Sequence, residues 1–341
     1  QRNTQFRWVS SLLLMELIVA ITVSRIIMNR VLIVLLGVIS LAACTSKSSK
    51  PGDTPTSGTI TITVDESLRP LIEAEVTAFE SIYVNAHIKV IYTSEEEAIA
   101  LMLKDSARAT IVSRMLVPEE SEVLTKQQYR PRQLKVATSA IALIVNNSNG
   151  DTTISMGDLK RILSGEIQNW GWNLPPKKGN PAGMEVVFDQ PNSGILRHLR
   201  DSVVRFDSLQ KNWFALKGNS EVIDYVSKKP EALGLIDVTW ISDRDDSTAN
   251  KFLSEVRVMR ISGDSGSYQP YQAYIAQGRY PLRRDVVMIS REAKSGLASG
   301  FMSFIAGEKG QRIVLKAGLV PATMPVRIVE ISRDPISISP E

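Results

Sequence analysis

The stretch Glu185–Asp201, EVVFDQPNSGILRHLRD, decides how this chain of 341 residues is read. An apolar run ends on an acid, the chain turns through Pro191, Asn192, Ser193 and Gly194, and a helix-like segment follows. That segment carries bases on its first turns and no acid before Asp201. A strand feeding a helix through a short polar turn is the joint of an α/β fold. The start of a helix also exposes unpaired N–H groups and a partial positive charge, which suits an anion. Asn192 or Ser193 can cap, Gly194 lets a ligand approach the backbone, and Arg197 lies one turn in, where a guanidinium takes an oxyanion with two bonds. Taken alone, the joint supports two readings, an ordinary connection and an anion cradle.

Working outward, the same alternation continues along the chain. TITITV (59–64) reads as a strand, and the segment after it places Leu68, Leu71, Ile72, Val76 and Phe79 on one helical face. HIKVIYT (87–93), ATIVSR (109–114), the long QLKVATSAIALIVNN (133–147), MEVVFD, ALGLID, VRVMRIS and YPLRRDVVMIS read as strands. Helices are expected over SEEEAIALML, 156–163, about 195–206, SEVIDYVSKKP and about 297–317. Strands alternating with helices predict an α/β fold with mixed, mostly parallel sheets flanked by helices. The long strand at 133–147 is expected to carry the chain from one lobe to another, and the strand near 280–290 to bring it back. The expected division is 58–136 plus 281–330 for lobe I, 137–280 for lobe II, and a C-terminal tail at 331–341.

Composition agrees with a folded body, with 43% apolar and 22% charged residues. The four bases of residues 1–43 (Arg2, Arg7, Arg25, Arg30) face one acid, Glu16, which leaves 36 bases and 35 acids from residue 44 onward. The body is close to neutral and has no basic cluster interleaved with aromatics, so nucleic acid is not an expected partner. The single cysteine, Cys44, ends MNRVLIVLLGVISLAAC: a start at Met28, a base at Arg30, a mostly apolar run and small residues. That order is a secretory signal over 28–43, and the apolar run falls short of the roughly 20 residues that span a bilayer. Leu-Ala-Ala-Cys resembles the lipobox of bacterial lipoproteins, which implies lipidation of Cys44 and an extracytoplasmic, membrane-anchored protein of the cell envelope. The Ser-, Thr- and Pro-rich segment 44–57 then reads as a flexible tether. Residues 1–27 read as an upstream extension of the gene model, or alternatively as a further span within Val9–Val23.

Two other joints bear comparison with the first. In TSEEEAI, Ser94 and Glu97 have capping-box spacing and acids fill the first turn, so that helix supplies its own anions. In VDESLRPL, Ser67 is a candidate cap and Pro70 a first-turn residue, while Asp65 and Glu66 oppose an anion unless they point away.

The ordered set LRPLIEAEVTAFE, IALIVNNSN, LKRILSGEIQNW, NSGILR, KKPEALGLID, GRYPLRRDVVMIS and GEKGQRIVLKAGLVPA resembles the substrate-binding proteins of phosphate ABC transporters. The resemblance covers about residues 58–325 and implies the two-lobed type II periplasmic-binding-protein fold. It further implies phosphate, or a similar oxyanion, bound between the lobes and delivered to an ABC permease, with no cofactor, no metal and a monomeric receptor. Carried over by position, the ligand set is Ser67 and the Leu68 backbone, then Ser113, then Asn192, Ser193, Gly194 and Ile195, with Arg197 beside them. Four departures stand out. The second loop is acidic where the family has glycine and serine. Ile195 replaces a usual threonine, Arg114 stands where an acid is usual, and Asp189 where an arginine is usual. The last two suggest an exchange, with Arg114 clamping the anion and Asp189 accepting its proton or orienting Arg114; unrelated surface charges are the alternative.

A hydrolase is disfavoured. His87 and His198 are the only histidines, the body has no thiol, and no nucleophile elbow or phosphate-cradling Walker loop is present. A binding-fold lipoprotein for another solute, or a sensor or adhesin, is the remaining alternative.

Overall fold

The computed structural model describes residues 53–326, apart from 172–182, 207, 264–265 and 293. The upstream extension, the signal segment, Cys44, most of the tether and the tail at 331–341 lie outside the described residues. No helix among the described residues is long and apolar enough to cross a membrane.

The first half of the chain builds β1 (Gly58–Asp65), a 3-10 turn (Glu66–Leu68), α1 (Arg69–Ile82), β2 (Ala86–Thr93), α2 (Glu95–Leu103), β3 (Ala109–Val112), α3 (Pro118–Lys126) and β4 (Arg132–Asn146). There follow β5 (Thr153–Ser155), α4 (Met156–Leu163), β6 (Glu185–Phe188), α5 (Gly194–Ser202), β7 (Trp213–Ala215), α6 (Asn219–Lys228), β8 (Ala232–Asp237), α7 (Thr239–Ser242) and α8 (Ser247–Glu255). The chain ends through β9 (Val256–Val258), β10 (Arg260–Gly263), β11 (Gly266–Tyr268), α9 (Gln272–Ala276), β12 (Arg283–Ser290), α10 (Leu297–Ala306), α11 (Glu308–Lys316) and β13 (Val320–Pro321).

One mixed sheet runs in the order β2-β1-β3-β12-β4-β8-β6-β7, and β9 and β13 also pair with β4. Strand β4 explains how two lobes share it. Its first part pairs antiparallel with β12, from Arg132 opposite Ser290 to Ala140 opposite Arg283. Its second part pairs antiparallel with β8, from Ile141 opposite Asp237 to Val145 opposite Leu233. At about 3.4 Å per residue, this one strand spans about 50 Å. The parallel pairs lie on either side, β1 with β2 and β3 in the first lobe and β6 with β7 and β8 in the second. Parallel strands covered on both faces read as near-continuous apolar runs, and Ala232–Asp237 is buried throughout.

Helix α1 lays Leu71, Ile72 and Phe79 against the core. There Phe79 meets Phe301 and Phe304 edge-on, each with ring centroids 5.3 Å apart, contacts worth about 0.5–1.5 kcal/mol beyond their area.

Several expected boundaries shift for physical reasons. The run 297–317 is two helices, because Gly307 is extended (φ −79°, ψ 171°) and restarts the chain at Glu308. Helix α5 stops at Ser202, ahead of the β-branched pair Val203–Val204, instead of reaching Phe206. VRVMRIS divides into β9 and β10, the latter joining a separate small sheet with β11 and β5. LSGEIQNW forms as expected. Gly165 takes the left-handed conformation that ends α4 (φ 82°), and the packed Trp170 donates to the Glu231 carbonyl at 2.7 Å.

Candidate functional site

Strand ends and helix starts of both lobes converge on one contact. The 3-10 turn after β1, the start of α2 and the residue after β3 come from the first lobe. The turn before α5 and the starts of α6 and α7 come from the second.

Gly194 marks the centre. Its N–H donates to Asp65 Oδ2 at 3.2 Å. A Cβ placed on it would lie 2.4 Å from Asp65 Oδ2, 2.4 Å from Ser113 Oγ and 2.8 Å from Glu95 Oε2. Only glycine fits where three oxygens from three loops approach so closely. Ser193 caps α5, its Oγ accepting from the Leu196 N–H at 3.4 Å. The strand–turn–helix joint expected here is therefore present, with Ser193 as its cap.

Three carboxylates sit on the donors. Asp65 Oδ1 accepts from the Ser67 N–H at 3.1 Å and from Ser67 Oγ at 2.8 Å. Glu95 Oε2 accepts from the Ser113 N–H at 2.8 Å and also from Ser113 Oγ, while Glu95 Oε1 accepts from Arg197 Nε. Glu66 Oε2 accepts from the Asn219 N–H and Nδ2, both at 3.0 Å, at the start of α6. Asp65 and Glu66 thus point inward. Ser67 does not cap a helix; it donates to Asp65, which caps the 3-10 turn, and Leu68 occupies the N-cap of α1 without a side-chain bond.

The missed residue of consequence is Arg284 on β12. Its side chain is fully buried, Nη2 bonds Ser67 Oγ at 2.6 Å and Asp237 Oδ2 at 2.7 Å, and Nη1 stands 3.9 Å from Asp65 Oδ2 without a hydrogen-bond partner. Asp237 is itself held by Ser139 Oγ and the Thr239 N–H. The Ser67 carbonyl closes the lobes by accepting from Thr239 Oγ1 at 3.1 Å and Trp240 Nε1 at 2.9 Å. The signal for Arg284 was strand alternation, which puts this arginine on the same face as the apolar Val286 and Met288.

The expected exchange between Arg114 and Asp189 does not form as a pair. Arg114 makes a two-pronged bond to Glu120 at 2.7 Å on both arms and lies 3.6 Å from Glu95. Asp189 is buried, 3.3 Å from Asn219 Nδ2, and the guanidinium acting on it is that of Arg284. The partner of Arg114 is thus supplied locally by α3, whose Val117-Pro118-Glu119-Glu120 start places Glu120 within reach. The Ile195 side chain is buried in the apolar core, and Asn192 is exposed and lines a cavity with Ser193 and Arg197, its carbonyl accepting from the Glu96 N–H at 3.4 Å.

Carboxyls outnumber guanidiniums in this contact, so they titrate unequally. Burial opposes the charge of Glu95, yet the charge and bonds of Arg197 and the bonds of Ser113 hold it below the ordinary value. Burial pushes Asp65 up to about 6 against the pull of Arg284, with Glu95 adding to the rise. Burial and the Asp65 charge push Asp189 well above the usual carboxylate range. A carboxyl held neutral donates as well as accepts, which widens the role expected of Asp189. His198 is pressed down to about 4 by burial and by the charges of Arg284 and Arg197.

Two cavities flank the closed contact. One of about 480 Å³ is lined by Ser113, Arg114, Lys135, His198, Arg283 and Arg284, and one of about 280 Å³ by Glu95, Ser193, Arg197 and Arg200. No cluster of histidine, cysteine or acids fit to hold a metal occurs among the described residues.

A two-lobed α/β scaffold with strand-end loops of both lobes meeting in a polar, donor-rich contact defines a solute-binding protein. The model of the PBP superfamily domain matches residues 49–309, and the chain belongs to that family. It is 23% identical to the phosphate-binding protein PstS of Borreliella burgdorferi over 267 residues, 74% of this chain and 86% of that one. It is 22% identical to the phosphate-binding protein PstS of Bacillus subtilis, over 82% of this chain and 85% of that one. Among solved structures, it matches a Clostridium perfringens protein, described as a phosphate ABC transporter substrate-binding protein with bound phosphate. The TM-score is 0.66 at 22% identity, over 78% of this chain and all of that one. These likenesses establish the type II periplasmic-binding-protein fold, a scaffold for capture rather than for turnover.

Proposed function

We propose that this chain is an extracytoplasmic receptor that captures phosphate, or a similar oxyanion, between its lobes and delivers it to an ABC permease. Lobe I would comprise 58–136 plus 281–330 and lobe II 137–280. The Leu-Ala-Ala-Cys ending supports a lipid anchor at Cys44 and the tether after it; a monomer is the working state.

The observation that carries the reading is the convergence at Gly194. Serine N–H and hydroxyl groups at Ser67 and Ser113, the Gly194 N–H and Arg197 are aimed at carboxylate oxygens within one contact. Such donors suit any oxyanion, and closure about a hinge strand such as β4 is how two-lobed proteins seize and present a ligand. Asp189 and the Nη1 of Arg284 offer a carboxyl and a guanidinium to an oxyanion; in its ionised form Asp189 only accepts, which favours hydrogen phosphate over sulfate, a species with no proton to give.

Calorimetric titration of the purified protein with phosphate and with sulfate, at two pH values, tests the reading. Phosphate heat exceeding sulfate heat is expected. No phosphate heat at millimolar concentration would sink it, and favour the alternative of a binding-fold lipoprotein for another solute, for which the acidic second loop and Ile195 speak.

A further inference from the structure

The acidic second loop is the feature that oxyanion capture leaves unexplained. Glu95 is the first residue of α2, yet α2 does not depend on it. Ser94 Oγ accepts from the Glu97 N–H at 3.4 Å, and Glu96 and Glu97 remain in the first turn to face the helix dipole. The Glu95 side chain instead leaves its helix and is 2% exposed. One oxygen takes the Ser113 N–H and hydroxyl from its own lobe, the other takes Arg197 Nε from the opposite lobe, and Arg197 Nη2 and Arg114 Nε stand 3.5 and 3.6 Å away. A backbone N–H, a hydroxyl and a guanidinium fork are the donors an oxyanion uses. A carboxylate holding them is chemically an oxyanion supplied by the chain.

We propose that the Glu95 carboxylate is an internal oxyanion: it fills the seat formed by Ser113 and Arg197, latches the two lobes together, and is displaced by the incoming ligand. The inference rests on the oxyanion-capture reading and adds a competitor built into its site.

Shared donors set the two in competition. A Cβ on Gly194 would lie 2.4 Å from Asp65 Oδ2 and from Ser113 Oγ and 2.8 Å from Glu95 Oε2, so Glu95 and Asp65 together fill the space beside Gly194. A tetrahedral anion needs far more room. The seat also keeps its occupant ionised, because the Arg197 and Ser113 bonds outweigh burial at Glu95. Displacement has somewhere to go, since the 280 Å³ cavity opens beside Glu95, Glu96 and Arg200. Glu95 then sets a threshold: only a ligand that gains more from Ser113, Arg197 and Arg114 than the carboxylate does will open the latch and reclose around itself.

The test compares wild type with Glu95→Gln, which keeps shape and loses charge, and with Glu95→Ala, which empties the seat should the amide disturb folding. Each is titrated with inorganic phosphate by calorimetry, with circular dichroism confirming the fold. Removing a charged competitor for these donors is expected to tighten phosphate binding by about tenfold or more. Adding Ser113→Ala to Glu95→Gln removes a shared donor and is expected to cancel most of that gain. Tighter binding by the Glu95 variants supports the inference, even where wild type gives no heat, an outcome that would overturn phosphate capture by the native chain alone. Wild-type binding that is unchanged or weakened in both variants overturns the inference and leaves capture standing. Silence from wild type and variants overturns both.

Discussion

Glu75 offers a sharp test of the electrostatic reading because its environment is simple. It lies on α1 in the row Leu71, Glu75, Phe79, four residues apart on the face turned to the core. It is fully buried, and neither carboxyl oxygen has a hydrogen-bond partner. Burial alone pushes it up to about 9 from an ordinary 4.5. A raised acid contributes stability that is complete below its unfolded value and is lost as pH climbs towards its folded value. At pH 7 the folded chain keeps the proton that the unfolded chain has released, about 2.5 pH units above 4.5. At about 1.4 kcal/mol per unit, that sets a ceiling of about 3 kcal/mol on the loss. Glu75→Gln has nearly the same shape and no charge at any pH. The variant should match wild type near pH 4.5 and exceed it by up to about 3 kcal/mol at pH 7, the gap widening by about 1.4 kcal/mol per pH unit. Urea unfolding of both proteins from pH 4.5 to 8 measures the gap. A gap that stays flat with pH, or a variant less stable at pH 7, would refute the reasoning.

Two further outcomes follow from the cleft. Gly194→Ala puts a methyl into three oxygens at 2.4–2.8 Å, an overpacking of about 2 kcal/mol that falls on lobe closure. Phosphate affinity should therefore drop about 30-fold in calorimetry while the melting temperature changes little. His198 stays uncharged across the physiological range because burial, Arg284 and Arg197 hold it near 4. As a depressed base it costs nothing above about 6.5 and destabilises the fold as pH falls towards 4, so its ring NMR signals should show no titration between pH 5 and 8.

The layers of the fold were legible because they rest on local pattern. The alternation in Thr59–Val64, the apolar 141–145 run and the stripe of α1 each dictate an element, and the turn signals at Gly165 and Ser193 fix two helix ends. What escaped is what only tertiary context decides. Arg284 reads as one more strand residue until β12 turns it inward onto Asp237, and Glu75 hides in the apolar face because helical periodicity counts positions, not their protonation. Asp65 and Glu66 were expected to oppose an anion unless they faced away. They face in, because Ser67 in the same turn and Asn219 at the start of α6 supply donors, and the Arg284 guanidinium on β12 stands 3.9 Å from Asp65.

Arg114 and Asp189, suspected of a charge exchange, do not pair with each other. Each faces another group: Glu120 and Glu95 for Arg114, Arg284 for Asp189. A guanidinium cannot sit in a closing cleft without an anion nearby, and the desolvation of its charge would otherwise oppose closure. Glu95 meets that need for Arg197 and Arg114 at once, which places it in the seat of the ligand. A cradle with arginines on both lobes requires an anion to close, and here the chain carries that anion itself, so that closure and capture become separable steps.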